Sequence, residues 1–222
     1  MVYTCKYKSS IGDILLAADE IGLIGLWFEG QKYFANTLPD EHIPQETEIL
    51  TETIKWLDMY FSGEEPNFTP PLHPSGSSFR QAVWQILLQI PYGQTITYGE
   101  IARKIAETKN TSRMSAQAVG GAVGHNEIAI IIPCHRVVGT NGSLTGYAGG
   151  IDKKISLLEL EHTDMSRFFV PKNYGGDLHV GAMSILTSVM QLISIPVQGM
   201  NQGIQPIISY NYGAGNKKRV TG

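Results

Sequence analysis

The segment Pro133-Cys134-His135-Arg136 holds the residues best suited to covalent chemistry. A thiol becomes a strong nucleophile when basic or cationic neighbours raise its thiolate fraction, and an imidazole and a guanidinium follow Cys134 directly. Consecutive Cys and His side chains rarely meet face to face, so a proton passing between them needs a bridging water. The competing reading is an inert buried cysteine, the commoner fate of a free thiol. Glu161 is the second candidate. Ile151, Ile155, Leu158 and Glu161 fall at i, i+4, i+7 and i+10, one helical stripe, so the carboxylate continues the core-facing side close to a helix C-terminus, where negative charge is disfavoured. An inward carboxylate needs a partner, and His135 is the candidate. The alternative is a frayed last turn that leaves Glu161 in water.

The elements that must position these groups follow from the hydrophobic pattern. Residues 2–8, 14–18 and 23–28 are short β-favouring runs separated by turn residues. From residue 47 to 61, Leu50, Ile54, Leu57 and Phe61 form a helical stripe ending near Gly63. The Pro-rich passage 66–74 reads as an extended linker and a domain boundary. Beyond it, Ser78 precedes a stripe of Phe79, Val83, Ile86, Leu87 and Ile90. Thr97-Tyr98-Gly99-Glu100 has capping-box spacing and opens a helix through Ile101 and Ile105. Residues 115–124 form a helix of almost entirely small residues, in which each interior glycine costs about 1 kcal/mol against alanine. Something must approach that backbone closely, either another helix or an external partner. These two helices make a helix-turn-helix plausible. The apolar run 128–132 reads as a buried strand or extended segment leading into Cys134, and a Gly-rich loop, 139–150, leads to a last helix from Asp152 to about Glu161.

Residues 76–161 resemble the catalytic domain of the O6-alkylguanine-DNA alkyltransferases, the methylated-DNA–protein-cysteine methyltransferases. The resemblance is carried by Phe79-Arg80-Gln81-Ala82-Val83-Trp84, Ile90-Pro91-Tyr92-Gly93, Thr97-Tyr98-Gly99-Glu100-Ile101-Ala102, Ala118-Val119-Gly120-Gly121-Ala122, Ile132-Pro133-Cys134-His135-Arg136-Val137-Val138, Gly146-Tyr147-Ala148-Gly149-Gly150 and Leu157-Leu158-Glu159-Leu160-Glu161. It implies an α/β N-terminal ribonuclease-H-like domain over 1–73 and a mostly α-helical C-terminal domain with a helix-turn-helix over 76–170. It further implies double-stranded DNA bearing O6-alkylguanine, and O4-alkylthymine, as substrate. The lesion nucleotide is flipped out of the duplex and its alkyl group passes irreversibly to Cys134, once per molecule. By the same resemblance His135, through a water, and Glu161 draw away the thiol proton. Tyr98 lies near the flipped nucleotide, displacing the 3′ phosphate and contacting guanine, and the charge that develops on the departing base makes it the candidate proton donor. Asn126 braces the turn between recognition helix and active-site loop. Ser115, Gln117, Ala118, Gly121 and Arg136 are expected among the DNA contacts, and the main chain around Val137, Tyr147 and Ala148 lines the guanine pocket. Gln117 stands where most relatives carry an intercalating arginine. Some relatives bind zinc through N-terminal Cys and His residues, but Cys5 has no such cluster in residues 1–40, so no metal and no cofactor are expected.

The formal charge of −3 hides an uneven distribution. Residues 1–75 carry four Lys/Arg against twelve Asp/Glu, residues 76–170 nine against seven, and residues 171–222 four against one. This excludes a uniformly basic nucleic-acid binder, and two cysteines exclude a disulfide scaffold. With no apolar leader at the start of the sequence, a cytoplasmic location is the expectation, and separately a monomer is expected. From Leu178 to Asn216 there is no Asp, Glu, Lys or Arg at all. Residues 174–220 resemble a fragment of a multidrug-and-toxin-extrusion transporter. The segment 171–222 is therefore expected to be an apolar, helical tail left by a fusion, with membrane contact through 178–210 left open. Two other function classes stand beside alkyl transfer: a non-catalytic binder of alkylated DNA, whose known examples lack the acceptor cysteine, and a membrane-associated transporter-like protein acting through the tail.

Overall fold

The computed structural model describes residues 1–172; expectations for the tail beyond, including its helical character and membrane contact, lie outside the described residues. The first three strands fall where the pattern placed them: β1 (Tyr3–Ser9), β2 (Gly12–Ala18) and β3 (Leu23–Phe28). They form an antiparallel meander extended by the two-residue β4 (Ile43–Pro44), which runs parallel to β1, in the order β3-β2-β1-β4. One face is covered by α1 (Glu48–Phe61), capped by Thr47. Its buried stripe is Leu50, Thr53, Trp56, Leu57 and Tyr60. Ile54 and Phe61, expected on that stripe, sit at its half-buried margins. The helix is thus rotated by about one residue from the reading that ranked Ile and Phe above Thr and Tyr.

The edge strand β3 does most of the positioning. The Pro-rich passage is no loose linker but docks on it: Leu23 N donates to Pro71 O at 2.7 Å, and His73 N to Leu23 O at 2.8 Å. Farther along the same edge, Leu26 N donates to Glu127 O at 2.8 Å, and Ala129 N to Leu26 O at 3.0 Å. These bonds satisfy backbone groups that an edge strand would otherwise leave open. They also tie the approach to Cys134 directly to the sheet.

The helical half comprises α2 (Ser78–Leu87), α3 (Tyr98–Thr108), α4 (Ala116–Gly124) and α5 (Ile151–Leu160). The capping box at Thr97 and Glu100 is complete, with each side chain bonded to the other's backbone N–H. A two-strand parallel pair, β5 (Ile96–Thr97) with β6 (Val137–Val138), holds the start of α3 beside the residues that follow Cys134. α3 and α4 form the helix-turn-helix. Val119, Ala122 and Val123 of α4 are buried, the last two only 3% and 1% exposed. Gly121 is exposed, and a Cβ on Gly121 or Gly124 would meet nothing within 4 Å. Gly121 and Gly124 therefore do not serve helix–helix packing, whereas Gly120 lies against the Tyr98 ring of α3. One apolar core joins residues of the sheet, α1 and the helical half, including Leu16, Leu57, Trp84, Ile101, Val119 and Ile132. Among the described residues, no helix is long and apolar enough to cross a membrane.

Candidate active site

The run 128–132 is not a strand. After one bridge between Ile128 and Leu26 it becomes a chain of tight turns, with Ile131 N bonded to Ala129 O, Ile132 N to Ile128 O, and Cys134 N to Ile132 O. Ile130 takes φ +68°, a left-handed conformation costly for a β-branched residue. Burial and a side-chain brace hold it there. Ile130 is 1% exposed, and Asn126 Nδ2 donates to Ile132 O at 2.7 Å and Ile128 O at 3.3 Å, while its Oδ1 accepts from Ile128 N at 3.1 Å. The chain then enters a 3₁₀ turn, Cys134–Arg136, with the thiol at its start.

Cys134 is 4% exposed, and its Sγ lies 3.0 Å from Asn126 Nδ2. Burial pushes the thiol pKa up, opposed by the Asn126 hydrogen bond and the charge of Lys154. His135 is fully buried, which pushes its pKa down against the pull of Glu161. Its Nε2 lies 2.7 Å from Glu161 Oε1. A carboxylate can only accept, so Nε2 carries the proton and Nδ1 keeps a free lone pair. Nδ1 has no hydrogen-bond partner in the protein. At rest the pair is a neutral thiol beside a neutral imidazole whose basic nitrogen is unengaged.

Glu161 caps the C-terminus of α5 and is 2% exposed, not frayed into water. Burial would raise its pKa, but the hydrogen bonds and charges of His135 and Arg136 outweigh that and hold it well below the usual carboxylate range. Arg136 grips it with Nε at 2.8 Å and NH2 at 2.9 Å, while its NH1 donates to Ile90 O. Arg136, expected among the DNA contacts, thus has its guanidinium committed inside the protein. Gly93 N donates to Glu161 Oε2 at 3.2 Å, and Tyr60 OH to Oε1 at 2.7 Å.

The other expected residues divide between an inner group around residues 137 and 145–148 and an outer face. Tyr98 OH donates to Thr145 O at 3.2 Å. Gly146, next in the chain, has φ +73°, and a Cβ there would collide with the Tyr98 hydroxyl. Val137 is buried in β6, and Tyr147 is 6% exposed with its ring edge-on to His135 at 6.4 Å. Ala148 O accepts from Lys32 N. Ser115, Gln117, Ala118 and Gly121 are exposed on α4, with Ser115 Oγ capping Gln117 N and Ala118 N. Beside them a groove of about 580 Å³ is lined by Arg103, Asn110, Ser112, Arg113 and Ala116.

Two residues at the site escaped the sequence reading. Tyr60 arrives from α1. Lys154, fully buried on α5, donates Nζ to Val137 O and Thr145 O, and burial lowers its pKa to about 8. The signal was there: Lys154 lies seven residues before Glu161, on the same face as Leu157 and Leu158. Among the described residues, no group of His, Cys, Asp or Glu could hold a metal ion.

Fold and site together define a two-part protein whose helix-turn-helix half buries a cysteine next to a carboxylate-backed histidine. The family model for the DNA-binding domain of 6-O-methylguanine DNA methyltransferase matches residues 78–163, and the model for its ribonuclease-like domain matches residues 1–74. A Methanosarcina acetivorans methylated-DNA–protein-cysteine methyltransferase is 47% identical over 161 residues, 72% of this chain and 98% of the relative. A Haemophilus influenzae protein of the same name is 40% identical, covering 72% and 86%. The crystal structure of Mycobacterium tuberculosis OGT in complex with DNA superimposes with TM-score 0.62 at 40% identity, covering 77% of this chain and 96% of that one. The chain belongs to the 6-O-methylguanine DNA methyltransferase family. Residues 165–221 separately match the MatE family model.

Proposed function

We propose that this protein repairs DNA by accepting the alkyl group of O6-alkylguanine on Cys134, once per molecule, as a cytoplasmic monomer acting on double-stranded DNA. Residues 76–170 form the DNA-binding and acceptor domain in this reading, and residues 1–73 its support. The observation that carries it is the state of His135, the residue after the buried Cys134: Nε2 is committed to a charged Glu161, and Nδ1 has no hydrogen-bond partner in the protein.

The lesion's alkyl carbon is out of a protein's reach inside the duplex, so the nucleotide must be extruded, at a cost of a few kcal/mol. The exposed face of α4, small at Ala118 and Gly121, is suited to a narrow groove, and Gln117 can fill the gap left by the flipped base. In the pocket the Cys134 proton passes through a water to His135 Nδ1, giving an imidazolium paired with Glu161. The thiolate attacks the alkyl carbon, the S–C bond forms, and the C–O bond to guanine breaks. Tyr98 is the candidate donor of the proton that neutralises the departing base. The protonated Lys154 offsets the thiolate charge before attack. The thioether product has no leaving route, so the protein is consumed.

The test is intact mass after incubation with O6-methylguanine DNA. A gain of about 14 Da, absent in Cys134→Ala, supports alkyl transfer. Tight binding with unchanged mass would replace this reading with that of a non-catalytic binder of alkylated DNA.

A further inference from the structure

The Glu161 carboxylate receives five hydrogen bonds, and four come from residues 76–170: His135 Nε2, Arg136 Nε and NH2, and Gly93 N. The fifth is the Tyr60 hydroxyl, at 2.7 Å from Oε1, delivered by α1 from the N-terminal half. The phenol oxygen also lies 3.4 Å from His135 Nε2, close enough to share the proton that Nε2 gives to Glu161. The ring has little freedom to move. It stacks on Trp56 at 5.2 Å and 10°, and meets Phe61 and Tyr92 edge-on at 5.5 and 6.1 Å. Tyr60 is fully buried and spends its donor on this one carboxylate oxygen.

We infer that Tyr60 is a positioning residue of the acceptor site: clamped by α1, its hydroxyl fixes the carboxylate that holds His135 with Nδ1 free to take the Cys134 proton. The inference rests on the alkyl-transfer reading above. The N-terminal half, which does not carry Cys134, thereby reaches into the chemistry through one oxygen atom.

The electrostatic consequence has a definite sign. The ionisable groups facing His135 are Glu161, Arg136, Lys154, Cys134, Tyr147 and Tyr60. Removing the Tyr60 hydroxyl leaves five of these in place and frees a lone pair on Oε1. More of the carboxylate charge then acts on the imidazole, so its protonated form is favoured and its pKa rises. A smaller fraction of His135 is then ready to accept a proton at a given pH.

Tyr60→Phe in the full chain tests this through two readouts: single-turnover alkyl transfer as a function of pH, and NMR titration of the His135 imidazole without DNA. The expected result is an acid limb and a His135 titration both moved up by about half a unit, which lowers the rate by up to about 3-fold on that limb and by less at neutral pH. DNA affinity stays at the wild-type value. A ring-fluorinated tyrosine at position 60 keeps the ring packing and donates more strongly, so it should move the His135 titration down. Unchanged His135 titration in either folded variant overturns the inference. If the wild-type protein transfers no alkyl group, the functional reading fails by itself, and the NMR titration still decides whether Tyr60 governs His135.

Discussion

Asn126 Nδ2 lies 3.0 Å from Cys134 Sγ while bonding the Ile132 carbonyl at 2.7 Å, so one amide both folds the turn that carries the thiol and touches the sulfur. That turn includes the strained Ile130, and Asn126 bridges it from Ile128 to Ile132. Asn126→Ala should destabilise the protein by about 2–4 kcal/mol, because several buried backbone groups lose their partner. Urea unfolding measures that loss. Alkyl transfer should fall by more than about 10-fold even under conditions where the variant is fully folded.

Glu161→Gln keeps the shape of the side chain and removes its charge, leaving Arg136 buried without a counter-ion. A loss of about 3–5 kcal/mol is expected. Transfer should slow by about 100-fold or more, with DNA affinity within about twofold of wild type. Equal losses in both would sink the relay. The pH dependence has a fixed sign. The Glu161 carboxyl titrates lower in the folded chain than in the unfolded one, so its stabilisation is present above about pH 4.3 and drains away as the pH falls below it. The variant should lose less stability than wild type between about pH 6 and 3.

Lys154 shifts stability with pH in the same direction, but in an alkaline window. Its pKa of about 8 in the folded protein lies below the value of about 10.4 in an unfolded chain. Between those values the unfolded state binds more protons, so stability rises with pH, by about 3 kcal/mol in all from this group. Lys154→Met should flatten that alkaline rise in chemical denaturation. It should also slow transfer at neutral pH, since the thiolate loses a compensating charge.

Gln117 is exposed at the start of α4. Gln117→Arg should tighten binding to duplex DNA and steepen its salt dependence by about one counterion. Binding measured across a salt series reads both, and no change in either would place this side chain outside the duplex contact.

Gly121 has open space where a Cβ would stand. Gly121→Ala should therefore stabilise α4 by up to about 1 kcal/mol in thermal unfolding. If the bare backbone serves a groove, a bulkier Gly121→Leu should weaken DNA binding without loss of stability.

The sequence by itself determined a great deal here. Local signals placed β1 to β3, the Thr97–Glu100 capping box and the small-residue helix, because each depends on neighbours within a few positions. The ordered motifs around Cys134 pointed to it as the candidate nucleophile, and an inward Glu161 with His135 as its partner was one of the two readings the stripe on α5 offered. Tertiary structure decided the rest. On α1 and α5 the apolar stripes pointed to Ile54, Phe61 and Ile155, while the sides wholly turned inward carry Thr53, Tyr60 and Lys154. Hydrophobic periodicity ranks side chains by their cost of leaving water. A buried phenol or ammonium is tolerated only when partners from distant segments satisfy it, and for Tyr60 and Lys154 those partners are Glu161 and the carbonyls of Val137 and Thr145. The same physics turned Arg136 inward onto Glu161 and folded the run 128–132 into turns against β3. Those contacts come together only after the chain has closed on itself.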